Sequence, residues 1–203
     1  YLTVIIIIFY RILTMSGFII FFGLFFILII WGILIRNNIV RYLNATQRAW
    51  AEVANFELQK VKTLDHLEQT LAQYTEFEKG TLEKVTELRQ QIMNLNLHQT
   101  DTSHLQHIEQ LNQELMRNLN IVVENYPELK ADTLYSQMMQ EIQEQNENIS
   151  AAISIFNRNV EAFNNQIEVF PNNMINTITL AKKPIHPFRD PIMSQNYRYR
   201  PNF

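Results

Sequence analysis

The longest periodic pattern of apolar residues in this chain lies between Tyr135 and Phe170. Large apolar residues recur there in steps of four and three, with one polar interruption at Asn146. The pattern consists of Tyr135, Met139, Ile142, Ile149, Ile153, Phe156, Val160, Phe163, Ile167 and Phe170. This spacing places an apolar stripe on one side of a helix that packs against other helices. Because Pro171 disfavours further helix, the sequence predicts one long helix that ends near Phe170.

A second helical pattern covers residues 37–96 and can supply part of the surface that faces this stripe. The stretch contains no proline, and Gly80 lies at a polar position, which indicates a bend rather than a break. Because this helix is much longer than the next one, it is expected either to overhang the bundle or to bend near Gly80. Its apolar positions are Leu43, Trp50, Val53, Val61, Leu64, Leu67, Leu71, Tyr74, Leu82, Val85, Leu88, Ile92 and Leu95.

Residues 97–104 predict the first break in the helical body, followed by a helix with a capping box formed by Ser103 and Gln106. Pro127 ends this helix, and Asp132 is placed to cap the last one. The apolar stripe of the middle helix is Leu105, Ile108, Leu111, Leu115, Leu119 and Val122. Three helices joined by short turns are expected to pack antiparallel, as in a coiled-coil-like bundle.

An uninterrupted apolar stretch precedes this body. Residues 16–35 carry no charge, and as a helix they would be about 30 Å long, which matches the hydrocarbon core of a bilayer. Trp31 lies near one end, where an interfacial aromatic residue is expected. A cleaved signal peptide is the alternative, but its apolar region is shorter and is followed by small residues, whereas Arg36 follows here. The sequence therefore predicts a transmembrane anchor over 15–35.

Residues 1–14 are apolar but contain Arg11. Joined to 16–35, they would form a helix of roughly 52 Å, much longer than the hydrocarbon core. We interpret residues 1–14 as an N-terminal extension, with Met15 as a candidate native start.

The complete domain prediction is an extension (1–14), a transmembrane anchor (15–35), an elongated antiparallel three-helix bundle (36–175) and an extended tail (176–203). Residues 189–203 are expected to lack regular structure. The fold class is therefore all-α. Arg36, Arg41 and Arg48 follow the anchor before the first acidic residue, Glu52, and this charge bias predicts a cytoplasmic bundle.

The composition excludes several classes of function. The chain has no cysteine, so it has no disulfide, thiolate metal site or cysteine nucleophile. Gly80 is the one glycine outside the apolar N-terminus, which excludes a glycine-rich phosphate loop. Residues 36–180 contain 11 Lys and Arg and 19 Asp and Glu, a net charge of −8, whereas 181–203 have a net charge of +4. An acidic body argues against a nucleic-acid partner.

No pattern in the chain indicates catalysis or metal binding. His104 and His107 lie three apart on a Gln-rich helix and are interpreted as solvated surface residues, since a metal site needs three or four converging ligands. The carboxylates Glu76, Glu78, Glu83 and Glu87 are interpreted as a solvated helix face. The sequence contains no nucleophile elbow, zinc-protease helix motif or P-loop. We expect no catalytic, metal-binding or cofactor-binding residue, and hence no enzyme.

Several segments resemble the LemA family, over about residues 36–188. They are NATQRAWAEV (44–53), YTEFEKGTLEKVTELR (74–89), VENYPELKAD (123–132), the stretch 149–175 and LAKKPIHPF (180–188). Ala49 and Trp50 match an alanine–tryptophan pair of the family. The family's E-N-Y-P-x-L-K-A turn is matched by Glu124–Ala131, which includes Asn125, Tyr126, Pro127 and Lys130. Its aromatic–asparagine pairs and final Phe-Pro are matched by Phe156–Asn157, Phe163–Asn164 and Phe170–Pro171.

The sequence departs from the family pattern over Gln59–Leu71. Family members usually have an arginine pair and a D-L-I-P-N-L segment there. Lys60 and Lys62 keep positive charge, but Asp65 replaces the proline and His66 the asparagine.

The resemblance implies a membrane-anchored helical bundle without a settled activity, and some relatives are linked to remodelling of bacterial inner membranes, including magnetosome formation. We expect a self-assembling scaffold or interaction protein of the bacterial inner membrane, single-pass, with the bilayer as partner through residues 16–35 and homo-oligomers as the assembled form. The alternative is an adaptor in envelope signalling or stress response that docks an unidentified protein partner.

Two polar features of the last helix leave alternatives open. Asn146 either fixes register and partner number between chains or bonds a group of another helix within the monomer. Asn157 and Asn164 are expected at the flank of the stripe, bonding neighbouring helices or backbone. Trp50 is expected to be a core anchor against the last helix.

Overall fold

The computed structural model describes residues 2–73 and 79–189, and within these ranges the chain is helical and has no strand. This confirms the all-α prediction of a long apolar N-terminal helix followed by further helices. The described helices are α1 (Leu2–Leu71), α2 (Lys79–Met93), α3 (Thr102–Asn125), α4 (Pro127–Ala131), α5 (Thr133–Glu168) and α6 (Asn172–Thr179).

The chain divides into two compact units. Unit 1 consists of Tyr1–Tyr42 and Asn165–Pro184, and unit 2 consists of Leu43–Asn164 and Ile185–Phe203. Helices α1 and α5 contribute residues to both.

In unit 2, α1 and α5 pack antiparallel. Thr46 Oγ1 donates a hydrogen bond to the carbonyl of Asn159 at 3.1 Å, and further along α1 Lys60 Nζ donates to Asn146 Oδ1 at 3.2 Å. Because the partner number in α5 falls as the number in α1 rises, the two helices run in opposite directions.

Helices α2 and α3 form an antiparallel hairpin in the same unit. His104 of α3 meets Gln91 of α2 near the turn, and Glu114 meets Lys84 further from it. An ion pair of 2.6 Å between Arg89 and Asp65 joins α2 to α1. Four helical segments of unit 2 therefore alternate in direction along the chain.

The prediction of one continuous helix over 37–96 is wrong. Helix α1 ends at Leu71 and α2 begins at Lys79, so the chain turns back before Gly80, which lies inside α2. The turn brings Leu88 of α2 into the same core as Leu64 of α1, whereas a straight helix would carry them apart. The predicted apolar position Tyr74 and the acidic positions Glu76 and Glu78 lie outside the described residues.

The core of unit 2 combines the apolar stripes of α1, α2, α3 and α5. All six predicted stripe residues of α3 are buried. On the part of α5 that belongs to unit 2, the buried stripe residues are Tyr135, Ile142, Ile149, Phe156, Val160 and Phe163, while Met139 and Ile153 are half-buried. Ile167 is also buried, in the part of α5 that belongs to unit 1. Phe170 is 77% exposed, so its assignment to the stripe is wrong. The physical reason is that α5 ends at Glu168, and the chain leaves the helical periodicity before Phe170.

Of the two predicted helix caps, the one at Asp132 is confirmed and the one at Ser103 is wrong. Asp132 Oδ1 accepts from the backbone N–H groups of Leu134 and Tyr135, at 2.7 and 3.3 Å, which confirms it as the cap of α5. The cap of α3 is Asp101, whose Oδ1 accepts from the backbone N–H of His104 at 2.9 Å, and not Ser103. An aspartate is an equally good N-cap, and here it stands where the helix begins.

Unit 1 contains the apolar stretch of α1 together with the end of α5 and helix α6. By length and composition, α1 holds the one segment of the described chain that is apolar enough to cross a membrane, with a mean hydropathy of 3.1 and no burial in its most apolar window. Asn38 and Asn172 both donate to Gln166 Oε1, at 3.3 and 3.0 Å, which ties α1 and the start of α6 to the end of α5.

The tail begins later than predicted. Helix α6 continues to Thr179, into the stretch expected to be extended, and residues 181–189 are non-helical. These residues are called the tail segment below. The remaining part of the predicted tail, 190–203, lies outside the described residues.

Candidate functional site

Four polar side chains meet where the apolar stripes of unit 2 are interrupted. They are Glu57 and Lys60 of α1, Asn112 of α3 and Asn146 of α5, called the polar layer here. Lys60 Nζ lies 3.0 Å from Glu57 Oε2, and both side chains are fully buried. The amide oxygen of Asn146 accepts from Lys60 Nζ at 3.2 Å and from Asn112 Nδ2 at 3.4 Å. A charged pair and two amides thus connect three helices through the core.

The polar layer is incompletely satisfied. Although Lys60 and Glu57 are at ion-pair distance, they are not aligned as a hydrogen bond, and both carboxylate oxygens of Glu57 lack a hydrogen-bond partner. Asn112 Oδ1 is also buried without one. A buried acceptor left unpaired costs about 1–3 kcal/mol, so these atoms weaken the fold. Such groups are typical of sites where a ligand, a water or a partner supplies the missing donor.

A cleft of about 400 Å³ opens between α3 and α5 above these amides. Asn112 and Asn146 lie in its wall, and the other lining residues are Glu109, Gln113, Met116, Arg117 and Ser150. The cleft therefore combines two amide side chains with a carboxylate, a guanidinium and an apolar thioether. It is called the α3–α5 cleft below.

Asn146 bonds groups of two other helices within the monomer, as its second alternative describes, and the first, a role between chains, stays a prediction. Glu57, Lys60 and Asn112 were not recognised from the sequence. The sequence does contain a signal for the burial of Glu57. This residue stands seven residues from both Trp50 and Leu64, so it is in register with the apolar stripe of the helix.

Asn157 and Asn164 hold the tail segment against unit 2. Asn157 Nδ2 donates to the Phe188 carbonyl at 2.9 Å, and its Oδ1 accepts from the Phe188 N–H at 2.8 Å. Asn164 does the same with Ile185, at 2.8 and 2.9 Å. An asparagine side chain carries both a donor and an acceptor, so it pairs with one backbone residue as a neighbouring strand would. Ile185 and Phe188 then pack on the core.

In each aromatic–asparagine pair, the two residues therefore have different roles. Phe156 and Phe163 are fully buried in α5, and the asparagine that follows each lies at the flank of the helix, bound to backbone. Phe170–Pro171 does not repeat this arrangement, because it lies beyond α5 in the turn before α6.

Trp50 is buried in the core of unit 2 and packs against α5, as predicted. Its ring is 1% exposed and lies 5.5 Å from the Phe156 ring, centroid to centroid. Its indole Nε1 donates to the Asn96 carbonyl at 2.8 Å, which ties the chain after α2 to α1. Ala49 beside it is also buried, and its small side chain leaves room for close packing.

The turn between α3 and α5 contains the short helix α4. Asn125 is the last residue of α3, and Pro127 is the first of α4, where its missing N–H costs nothing. The Tyr126 carbonyl accepts from the backbone N–H of Leu129, whose side chain is fully buried. Lys130 is exposed.

Two titratable groups outside the polar layer have shifted pKa values. The hydrogen bond from Lys84, with the charge of that lysine, lowers the pKa of Glu114 below its usual value. The stabilisation from this pair is present at neutral pH and is lost as the pH falls through the lowered pKa. Burial raises the pKa of Tyr135 to about 12, so its contribution is lost only as the pH rises from 10 towards 12.

Comparison with known proteins decides the family. The model described as the LemA family matches residues 49–190, from the Ala49–Trp50 pair through the tail segment. This chain belongs to the LemA family. It is 33% identical over 161 residues to "Protein LemA" of Metamycoplasma hominis, an alignment that covers 76% of this chain and 72% of that protein. The family match thus contains the polar layer, the α3–α5 cleft and the asparagines that hold the tail segment.

In this LemA family member, the departure at Gln59–Leu71 falls inside α1. Lys60 from this stretch belongs to the polar layer, and Asp65 pairs with Arg89 of α2. His66 and Lys62 are exposed. The substituted residues therefore serve the helix and its packing, and no proline interrupts α1 at this point.

Proposed function

We propose that this protein is a membrane-anchored helical scaffold of the bacterial inner membrane that self-assembles and organises the membrane around it. The observation that carries the proposal is the exposed apolar stretch of α1, residues 16–35. Leaving that many large apolar side chains in water is costly, at about 25 cal/mol per Å² of apolar surface, and a bilayer removes the cost.

The charges beside the stretch support a cytoplasmic position for the helical body. Arg36, Arg41 and Arg48 follow the apolar stretch before any acidic residue. Positive charge next to a membrane-crossing helix favours the cytoplasmic side.

Binding rather than catalysis is the activity that the helical body supports best. Its polar groups line a cleft between α3 and α5, and the sequence carries no motif of a nucleophile, a phosphate loop or a zinc site. We therefore propose that the protein acts through contacts and not through chemistry.

Anchoring promotes self-assembly by raising the effective concentration of the chains in the plane of the membrane. Weak lateral contacts between copies then become significant. The second candidate is an adaptor that docks one protein partner, and the α3–α5 cleft favours it because its lining offers amide, carboxylate and guanidinium groups to another chain.

Membrane integration is tested by replacing exposed apolar side chains of the stretch. In the full chain, Phe25→Lys with Leu28→Lys places two charges at side chains that are 53% and 61% exposed. We expect the unchanged protein to stay in the membrane pellet after alkaline carbonate extraction and the variant to be released, because lysine is strongly disfavoured in hydrocarbon.

The matched control is Ile121→Lys with Ile155→Lys, which changes equally exposed apolar residues of unit 2. This variant should remain in the pellet. Release of the unchanged protein by carbonate would show that residues 16–35 do not anchor it.

A further inference from the structure

Helix α6 of unit 1 turns two apolar residues outward and one asparagine inward, the reverse of what is expected at those positions in a helix that faces water. Met174 and Ile178, one turn apart on α6, are 53% and 76% exposed, and Phe170 in the preceding turn is also exposed. On the other side, Asn176 is buried and exchanges hydrogen bonds with both the N–H and the carbonyl of Lys182. A surface helix in water normally turns its apolar residues inward and its polar residues outward.

The position of α6 within unit 1 accounts for this reversal. The Cδ1 atom of Ile175 lies 3.5 Å from where a Cβ on Gly32 would be, so α6 packs beside the end of the apolar stretch of α1. Gly32 follows Trp31, the aromatic residue at that end. The exposed apolar side chains of α6 therefore continue the exposed apolar surface of α1.

The cleft between these helices marks the level where apolar surface gives way to polar surface. It has a volume of about 550 Å³ and is lined by Trp31, Leu34 and Ile35 on its apolar side and by polar residues that include Arg41 and Asn172. A boundary between hydrocarbon and headgroups presents the same change over a few ångströms.

The charges around α6 match an anionic surface. Residues 169–189 contain no aspartate or glutamate, and Lys182 and Lys183 follow α6 as exposed side chains. Arg36 and Arg41 stand just after the apolar stretch of α1. Basic residues near a membrane surface are attracted to anionic lipid by about 1 kcal/mol each.

We infer that α6 is a second membrane contact, an interfacial helix that inserts Phe170, Met174 and Ile178 into the lipid beside the anchor. The occupant of this face is the bilayer, because the face is continuous with the apolar stretch and is flanked by cations. The inference rests on the proposed anchoring of residues 16–35. It adds a lipid-binding element from the other end of the chain, which places the start of the tail segment at the membrane surface.

The absence of cysteine allows a direct test with single labels in the full chain. Met174→Cys and Ile178→Cys carry an environment-sensitive nitrobenzoxadiazole probe, and the protein is reconstituted in phosphatidylcholine–phosphatidylglycerol vesicles with or without spin-labelled lipid. Phe22→Cys reports on the anchor, Asn173→Cys on the polar flank of α6, and Ile155→Cys on an exposed apolar site of unit 2. All five positions are exposed, so labelling should leave the fold unchanged, which circular dichroism checks.

The inference predicts blue-shifted emission and loss of fluorescence to spin-labelled lipid at Met174 and Ile178, weaker quenching at Asn173 and none at Ile155. Quenching at Phe22 without quenching at Met174 and Ile178 overturns the role of α6 and leaves the anchor intact. No quenching at Phe22 overturns the anchor itself and with it this inference. A blue shift at Met174 that lipid does not quench, and that unlabelled chain reverses on mixing, assigns the face to a second copy and also overturns the inference.

Discussion

At the scale of single residues, the polar layer is the least expected feature of this protein. Burying a lysine and a glutamate is costly, and the attraction between them offsets this cost only with good geometry and further hydrogen bonds. Here the amide of Asn146 supplies one such bond to Lys60, while Glu57 keeps unpaired oxygens. The pair therefore adds little net stability, yet removing one member alone would leave a buried charge uncompensated.

The first prediction concerns this pair. Lys60→Met should lower the free energy of unfolding by about 3–5 kcal/mol, because it leaves the Glu57 carboxylate buried without its cation. Lys62→Met changes an exposed lysine two residues away and should stay within about 0.5 kcal/mol. Urea unfolding of the detergent-solubilised chain, followed by circular dichroism, measures both.

The double variant Glu57→Leu with Lys60→Met distinguishes the effect of the two charges from the effect of the side-chain volume that they fill. It should recover most of the loss of the single variant, because a buried ion pair replaced by apolar side chains is often neutral. If Lys60→Met and Lys62→Met had the same effect, the buried pair described here would be contradicted.

At the scale of elements, helix α5 binds the non-helical backbone of the tail segment through its asparagine side chains. The tail segment has no partner strand, and its Ile185 and Phe188 backbones pair with asparagine side chains of α5. The seven-residue spacing of Asn157 and Asn164 puts both on one flank of α5, next to the buried Phe156 and Phe163.

The second prediction tests this arrangement. Asn164→Leu removes the donor and the acceptor that pair with Ile185, and the unpaired backbone groups should cost about 1–3 kcal/mol. Hydrogen exchange followed by mass spectrometry should show faster exchange of the peptide that contains Ile185 and Phe188. Asn165→Leu, at the exposed next position, controls for the change in helix propensity and should leave the exchange of that peptide unaltered. Equal exchange in both variants would rule out the role assigned to Asn164.

The sequence predicted the elements whose pattern is local. The stripes of α3 and α5 follow helical periodicity, and the cap at Asp132 can be predicted because it bonds the backbone of residues close to it in the sequence. The end of α1 at Leu71 was not predicted, because residues 72–78 contain neither proline nor glycine and the packing of α2 on α1 depends on contacts between helices. Glu57 and Lys60 were also missed, since charged residues are expected at the surface and their burial depends on Asn146, which lies far away in the chain.

At the scale of the whole molecule, the proposed role of the protein is contact with the membrane and with other chains. The family match supports the kind of fold, and the function remains a proposal, because a fold of this kind hosts binding sites of several sorts. Unit 1 contains the exposed apolar stretch that we propose binds lipid, and unit 2 contains the α3–α5 cleft that we propose as a place for a protein group.

Self-assembly at the membrane is tested by the particle mass of the full chain extracted in mild detergent. Native mass spectrometry should give a homo-oligomer with a mass several times the 24.1 kDa of one chain. The variant Phe25→Lys with Leu28→Lys should shift to lower mass, because its chains are not concentrated in the bilayer and so do not assemble there before extraction. A single chain bound to one stoichiometric partner would contradict self-assembly and support the adaptor, and a monomer without any partner would contradict both.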